Sequence, residues 1–179
     1  MLLSNPFRPD PRVFKEAISL SKAGNQVSII CWDREIEYVL REETHGIDII
    51  RVQSVKSSYG AGTKQLLSFP RFWQAAMNHL DDLLPDVLHC HDLDTLPIGW
   101  YYSKKYPCKI ILDAHEDYPS LMSLYLPKFL VLSLAQLESF LIRDIDRIIT
   151  ASSVLAKKYN REGKHKVITI GNYPPLAEF

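Results

Sequence analysis

Two short polar motifs, each closing an apolar run, constrain this chain more than anything else in it. Asp86-Val87-Leu88-His89-Cys90 runs straight into His91-Asp92-Leu93-Asp94. Cys108-Lys109-Ile110-Ile111-Leu112 runs into Asp113-Ala114-His115-Glu116-Asp117-Tyr118-Pro119. Each reads as a buried strand that breaks off into histidine and carboxylates. In a doubly wound α/β domain, ligands bind just outside the carboxyl ends of the parallel strands. The two motifs therefore belong side by side at the mouth of one cleft, which makes a small-molecule site the first functional reading.

The rest of the chain alternates in the same way. Strand-like runs lie at residues 1–3, 27–32, 47–52, 87–89, 110–112, 145–150 and 166–170. Helical patterns lie between them, at residues 12–23, 64–84, 95–105, 121–144 and 152–161, the fourth broken near Pro127. Val13, Ala17 and Leu20 share one face of the first helix, and Gly24 ends it. Residues 54–63 read as a flexible loop. Short apolar strands alternating with helices imply a doubly wound α/β domain with about seven mostly parallel strands and helices on both faces. The first run is shorter than a usual strand of about five or six residues, which suggests residues missing ahead of Met1. Residues 172–179 leave the last strand through Pro174 and Pro175 and read as the start of a linker, or equally as a frayed terminus.

Composition narrows the function classes. Acidic and basic residues balance at 21 each, so no global field draws nucleic acid or anionic lipid. Cys31, Cys90 and Cys108 lack CxxC spacing and sit in or beside apolar runs. They read as free thiols of a reducing, cytoplasmic compartment. The start lacks a basic stretch followed by a long apolar one, and no apolar run reaches the ~18 residues of a membrane span. Residues 129–141 are very apolar for a helix. They read mainly as core, with a membrane- or partner-facing patch as the second reading. Gly60-Ala61-Gly62-Thr63-Lys64 is not a P-loop, and neither a dinucleotide fingerprint nor a nucleophile elbow occurs.

Within the two motifs, His89 and His91 point to one side of their strand and Cys90 to the other. His89 reads as a hydrogen-bonded core histidine and Asp94 as the cap of the next helix. His91 and Asp92, at the strand end, read as cleft residues. His115 is the strongest functional candidate, because Asp113 and Glu116 flank it and can fix its tautomer and raise its basicity. A metal centre built on these histidines and carboxylates is a weaker reading, since ligand type alone specifies little.

Together these residues resemble the N-terminal domain of a GT-B retaining glycosyltransferase, of the family called glycosyltransferase group 1 or family 4. Asp10-Pro11-Arg12-Val13 with Glu16-Ala17 and Leu20 resembles the start of one subgroup. His89-Cys90-His91-Asp92 resembles its H-x-H-D, and Asp113-Ala114-His115-Glu116 with Tyr118-Pro119 its D-x-H-E…Y-P. Asp146-Arg147-Ile148-Ile149-Thr150-Ala151-Ser152 with Leu155-Ala156 resembles a further motif, and Asn172 with Pro174 the Asn-Pro that closes the domain.

The resemblance implies one Rossmann-like half of a GT-B fold. Residues 1–171 form the acceptor-side domain, and residues 172–179 begin the linker to an absent C-terminal nucleotide-sugar domain. It implies transfer of a sugar from a nucleotide-diphospho-sugar donor to a sugar or lipid-linked acceptor, with peripheral membrane contact and no metal or other cofactor. His115 is the implied catalytic residue, facing the donor sugar. His91, Asp92, Asp113, Glu116, Arg12 and Asn172 are the implied substrate-binding residues. Many members carry a Gly-Gly loop after the first strand. Here Ser4-Asn5-Pro6-Phe7-Arg8-Pro9 stands instead, leaving Arg8 or Arg12 to supply charge. The competing class is a stand-alone Rossmann-like ligand-binding domain, or a metal-assisted hydrolase using His89, His91 and Asp92 with Asp113, His115 and Glu116.

Overall fold

The computed structural model describes residues 1–8, 10–53, 56–57, 67–160 and 166–173. The strands are β1 (Leu2–Leu3), β2 (Val27–Trp32), β3 (Arg41–Thr44), β4 (Ile47–Val52), β5 (Val87–His91), β6 (Lys109–Ala114), β7 (Arg147–Thr150) and β8 (Lys166–Thr169). The helices are α1 (Pro11–Lys22), α2 (Phe69–Leu83), α3 (Leu96–Lys105), α4 (Tyr118–Met122), α5 (Lys128–Leu141) and α6 (Ser153–Asn160), with a 3₁₀ turn at Ile142–Asp144. One sheet holds all these strands in the order β3-β4-β2-β1-β5-β6-β7-β8. Every neighbouring pair is parallel except β3 and β4. The order reverses at β1, where Leu2 pairs with Ile30 on one side and Cys90 on the other.

Alternation along the strands separates two cores. Leu2, Ile30, Leu88, Cys90, Ile110 and Leu112 face one side, packed under α2 and α3 through Phe72, Leu80, Leu96 and Tyr102. Leu3, Ile29, Cys31, Ile47 and Ile49 face the other, packed under α1 through Val13 and Ala17. Because Leu88, Cys90 and Leu112 point to the first side, His89, His91 and Asp113 point to the side of α1. The local geometry of α1 then decides what they meet. Asp10 caps it by accepting from the Val13 backbone N–H at 3.1 Å, and Pro11 opens its first turn. Arg12 and Glu16, one turn apart, share the edge of α1 that borders β5 and β6.

The doubly wound, mostly parallel architecture is the one expected from the strand–helix beat, with three differences. The strand β3 is an added antiparallel edge. Its Arg-Glu-Glu-Thr sequence has no buried position, so no apolar alternation marks it. Its pairing is set by the turn at His45-Gly46, both at positive φ. The helix expected over residues 64–84 is described from Phe69 onward. The helix expected over 121–144 is two helices joined through Pro127, which starts α5, followed by the 3₁₀ turn. The expected loop over 54–63, the glycines of residues 60–64, the end of the last helix at Arg161 and residues 174–179 of the expected linker lie wholly or mostly outside the described residues. Among the described residues no helix is long and apolar enough to cross a membrane.

Candidate active site

The parallel register of β5 and β6 sets His91 directly beside Asp113. One residue past β5, Asp92 takes φ +64, a strained value for a residue with a side chain. That turn lets its backbone N–H donate to the Asp113 carbonyl at 3.0 Å. It also lets its Oδ1 accept the backbone N–H of His115 at 3.0 Å. The two strand ends are thus tied crosswise, and the His115 ring is fixed between two carboxylates. Its Nε2 lies 3.2 Å from Asp113 Oδ2 and 3.2 Å from His91 Nδ1, and its Nδ1 lies 3.8 Å from Asp92 Oδ2.

Behind this dyad is a second layer. His89 and His91 stack with ring centroids 4.4 Å apart. The Arg12 guanidinium donates to Asp113 Oδ1, and its Nε donates to Glu16 Oε1 at 3.2 Å. Exposure grades outward: the Asp113 side chain is 0% exposed, His91 4%, and His115 22%. His115 is therefore the histidine of the network that a bound molecule can touch, while His91 and Asp113 support it from within.

Electrostatics follows this gradient. Burial pushes the His89 pKa well below its ordinary 6.5, helped by the neighbouring His91. Burial also lowers His91, although Asp113 partly opposes it. Burial acts on His115 in the same sense, but the hydrogen bond to Asp113 and the charge of Asp92 outweigh it, so its pKa is raised. Asp113 is buried yet held far below the carboxylate range by hydrogen bonds from His115 and His91. Burial and the Asp113 charge push Glu16 up to about 7. The site therefore offers one partly exposed imidazole biased toward its protonated, hydrogen-bond-donating form, backed by a buried anion.

The expected site residues do not all gather. His91, Asp92, Asp113, His115 and Arg12 converge. Glu116 is exposed, and Asp92 stands where Glu116 was expected to flank His115. Asn172 accepts from Lys15 Nζ at 3.1 Å, on α1, away from the histidine rings. With Arg12, Lys15, Glu16 and His89 it lines a groove of about 790 Å³ along α1, whose walls do not include His91, Asp92, Asp113 or His115. Arg8 forms an exposed pair with Glu42 at 2.7 Å and does not enter this cluster.

Two further expectations are corrected. His89 is buried, but its Nε2 has no hydrogen-bond partner, because the groups nearest it, Glu16 and Asp113, are 3.9 Å away. Asp94 does not cap α3. Thr95 holds the cap position, its hydroxyl donating to the His91 carbonyl at 2.8 Å, and Asp94 Oδ1 is enclosed without a partner. Two further residues meet the site or its border: Glu16, which the sequence marks only as part of the opening motif, and Arg34, which no motif contains. The Arg12–Glu16 spacing of four on one helix was a usable signal. So was the place of Arg34 just beyond β2, where it donates to the Ser4 carbonyl at 2.7 Å and covers the Trp32 ring.

Comparison with solved structures supports the architecture. Sucrose-phosphate synthase from Thermosynechococcus elongatus superposes with a TM-score of 0.77 at 15% identity, over 99% of this chain and 49% of that one. A shorter chain of sucrose-phosphate synthase from the same organism superposes with a TM-score of 0.66 at 14% identity, over 98% of this chain and 89% of that one. The chain thus spans about half (49%) of the longer protein it matches. At these identities the likeness is one of fold, half of a GT-B enzyme. Curated protein sequences give no match. The sequence profile of Glycosyltransferase Family 4 matches residues 12–173, which takes in both strand-end motifs and all the helices around them. The chain belongs to Glycosyltransferase Family 4.

Proposed function

We propose that this domain is the acceptor-side half of a retaining glycosyltransferase that moves a sugar from a nucleotide-diphospho-sugar to an acceptor hydroxyl. The observation that carries this reading is the His115 ring, held between Asp113 and Asp92 at the carboxyl edge of the sheet and partly open to solvent. A fixed hydrogen-bond donor of this kind suits the hydroxyls of a donor sugar and the charge that develops as its glycosidic bond breaks. His115 is the catalytic residue of the proposal, and Asp113, His91 and Asp92 position it. Arg12 holds Asp113, Asn172 lies in the groove along α1 where an acceptor enters, and the exposed Glu116 follows His115 in the chain. No metal ion takes part in this scheme.

A lipid-linked acceptor and a peripheral membrane contact belong to the same proposal. The outer face of α5 leaves Phe129 67% and Leu132 65% exposed, with Leu124 and Tyr125 beside them. Anomeric NMR of the product made by the complete transferase tests the central reaction. A product with the donor's anomeric configuration is expected, and an inverted one rules out the retaining scheme.

A further inference from the structure

We infer that Glu16, His89, His91 and Asp113 form a binding site for a transition-metal cation of the Zn²⁺ class, beyond the transfer reaction proposed above. Each of the four offers one ligand atom, and these atoms lie within 4.8 Å of one another. The closest approaches are shorter: His91 Nδ1 is 3.5 Å from Asp113 Oδ2, and His89 Nε2 is 3.9 Å from both Asp113 Oδ2 and Glu16 Oε2. Donor atoms around a tetrahedral Zn²⁺ at ~2.0–2.2 Å sit roughly 3.3–3.5 Å apart. The His91–Asp113 distance already has that spacing, and the two His89 distances slightly exceed it.

A second observation is independent of ligand type. Among the described residues, the buried side-chain polar atoms without a hydrogen-bond partner are Glu16 Oε2, His89 Nε2, His91 Nε2 and Asp94 Oδ1. The first two, Glu16 Oε2 and His89 Nε2, are donor atoms of this cluster and lie 3.9 Å apart. His89 and His91 are both more than nine-tenths buried, and the bare Nε2 of His89 faces both carboxylates. Buried polar atoms left bare are costly and call for a partner. Two imidazoles and two carboxylates select Zn²⁺, Co²⁺ or Ni²⁺ over Mg²⁺ or Ca²⁺. Glu16 and His89 also line the groove beside α1, which gives an ion its way in. Occupation would draw Asp113 and His91 from His115, so the bound ion inhibits sugar transfer.

The test uses the tag-free 179-residue protein and the metals alone. Calorimetric titration with Zn²⁺ is expected to give one site per chain, Mg²⁺ none, and Co²⁺ is expected to give the visible bands of a tetrahedral ion. Glu16→Gln and His89→Gln should each weaken Zn²⁺ binding at least about tenfold, the least that even outer-shell losses cost. His45→Gln, at an exposed residue of the β3–β4 turn, should leave it unchanged. Absence of a Zn²⁺ site, retention of affinity in both folded variants, or loss of it in His45→Gln would overturn the inference. If neither variant folds, the Co²⁺ spectrum of the unaltered protein decides, since an octahedral spectrum contradicts the site.

Discussion

Arg12 and Asp113, 101 residues apart in sequence, form a buried ion pair that joins the first turn of α1 to the end of β6. Asp113 has no solvent exposure, so without Arg12 it keeps its charge through His91 and His115 alone. Breaking one partner of a buried pair leaves an uncompensated charge, at a cost of about 3–5 kcal/mol. Arg12→Leu should therefore lower the unfolding free energy by about that amount in a denaturant melt. A loss under about 1 kcal/mol, the range of surface pairs, would show that Arg12 does not carry this role.

Close packing between α3 and the sheet gives a second prediction. A Cβ on Gly99 would lie 2.6 Å from Cys90 Sγ and 3.5 Å from Ile110 Cγ2. Gly99→Ala should destabilise by about 1–3 kcal/mol through overpacking, against a helix-propensity gain of up to about 1 kcal/mol. Adding Cys90→Ala removes the obstructing sulfur and should restore part of the loss. Thermal melts of the single and double variants check this.

Much of this arrangement was legible in the sequence, and what was not has a physical reason. The runs at Val27–Trp32 and Ile47–Val52 are apolar on both faces, so their buried, parallel character showed directly. The strand β3 did not show, because its charged residues carry no burial signal and its pairing comes from a turn. The meeting of His91, Asp113 and His115 followed from two strand ends being neighbours. Their meeting with Arg12 and Glu16 is a tertiary fact. It depends on which sheet face α1 covers, and nothing local to either segment states that. Asp94 was misread for a similar reason. A carboxylate before a helix is usually a cap, but here Thr95 takes that position and Asp94 turns into an enclosed space.

The enclosed Asp94 makes stability depend on pH. Burial, with the Asp92 charge second, pushes its pKa from 3.8 up to about 7. A carboxyl raised in the folded state favours the fold fully below 3.8, and that contribution is lost as pH rises toward 7. The slope is at most about 1.4 kcal/mol per pH unit. Asp94→Asn keeps the neutral shape, so its stability relative to the unaltered protein should rise between about pH 4 and pH 7 and then level off. Denaturant melts at several pH values measure this, and a pH-independent difference would mean that Asp94 is solvated.

Residues 1–179 alone should not transfer sugar from a nucleotide-diphospho-sugar at an enzymatic rate. The chain covers 49% of the sucrose-phosphate synthase chain it matches, and half a cleft cannot orient donor against acceptor. A coupled assay with a panel of nucleotide-sugars checks this, and turnover free of contaminating transferase would contradict it.

The central claim is that His115 touches the reacting sugar while His89 belongs to the interior. Steady-state kinetics of His115→Ala in the complete transferase tests it most directly, with a thermal melt of the same sample. His115 is a partner of the buried Asp113, so its loss should lower the melting temperature somewhat while leaving the protein folded at the assay temperature. Its kcat/KM should fall by ~10²-fold or more, as expected for a lost polar contact at a reacting centre. Near-normal kcat/KM in His115→Ala, together with a folded but inactive His89→Ala, would contradict the assignment and exchange the roles of the two histidines.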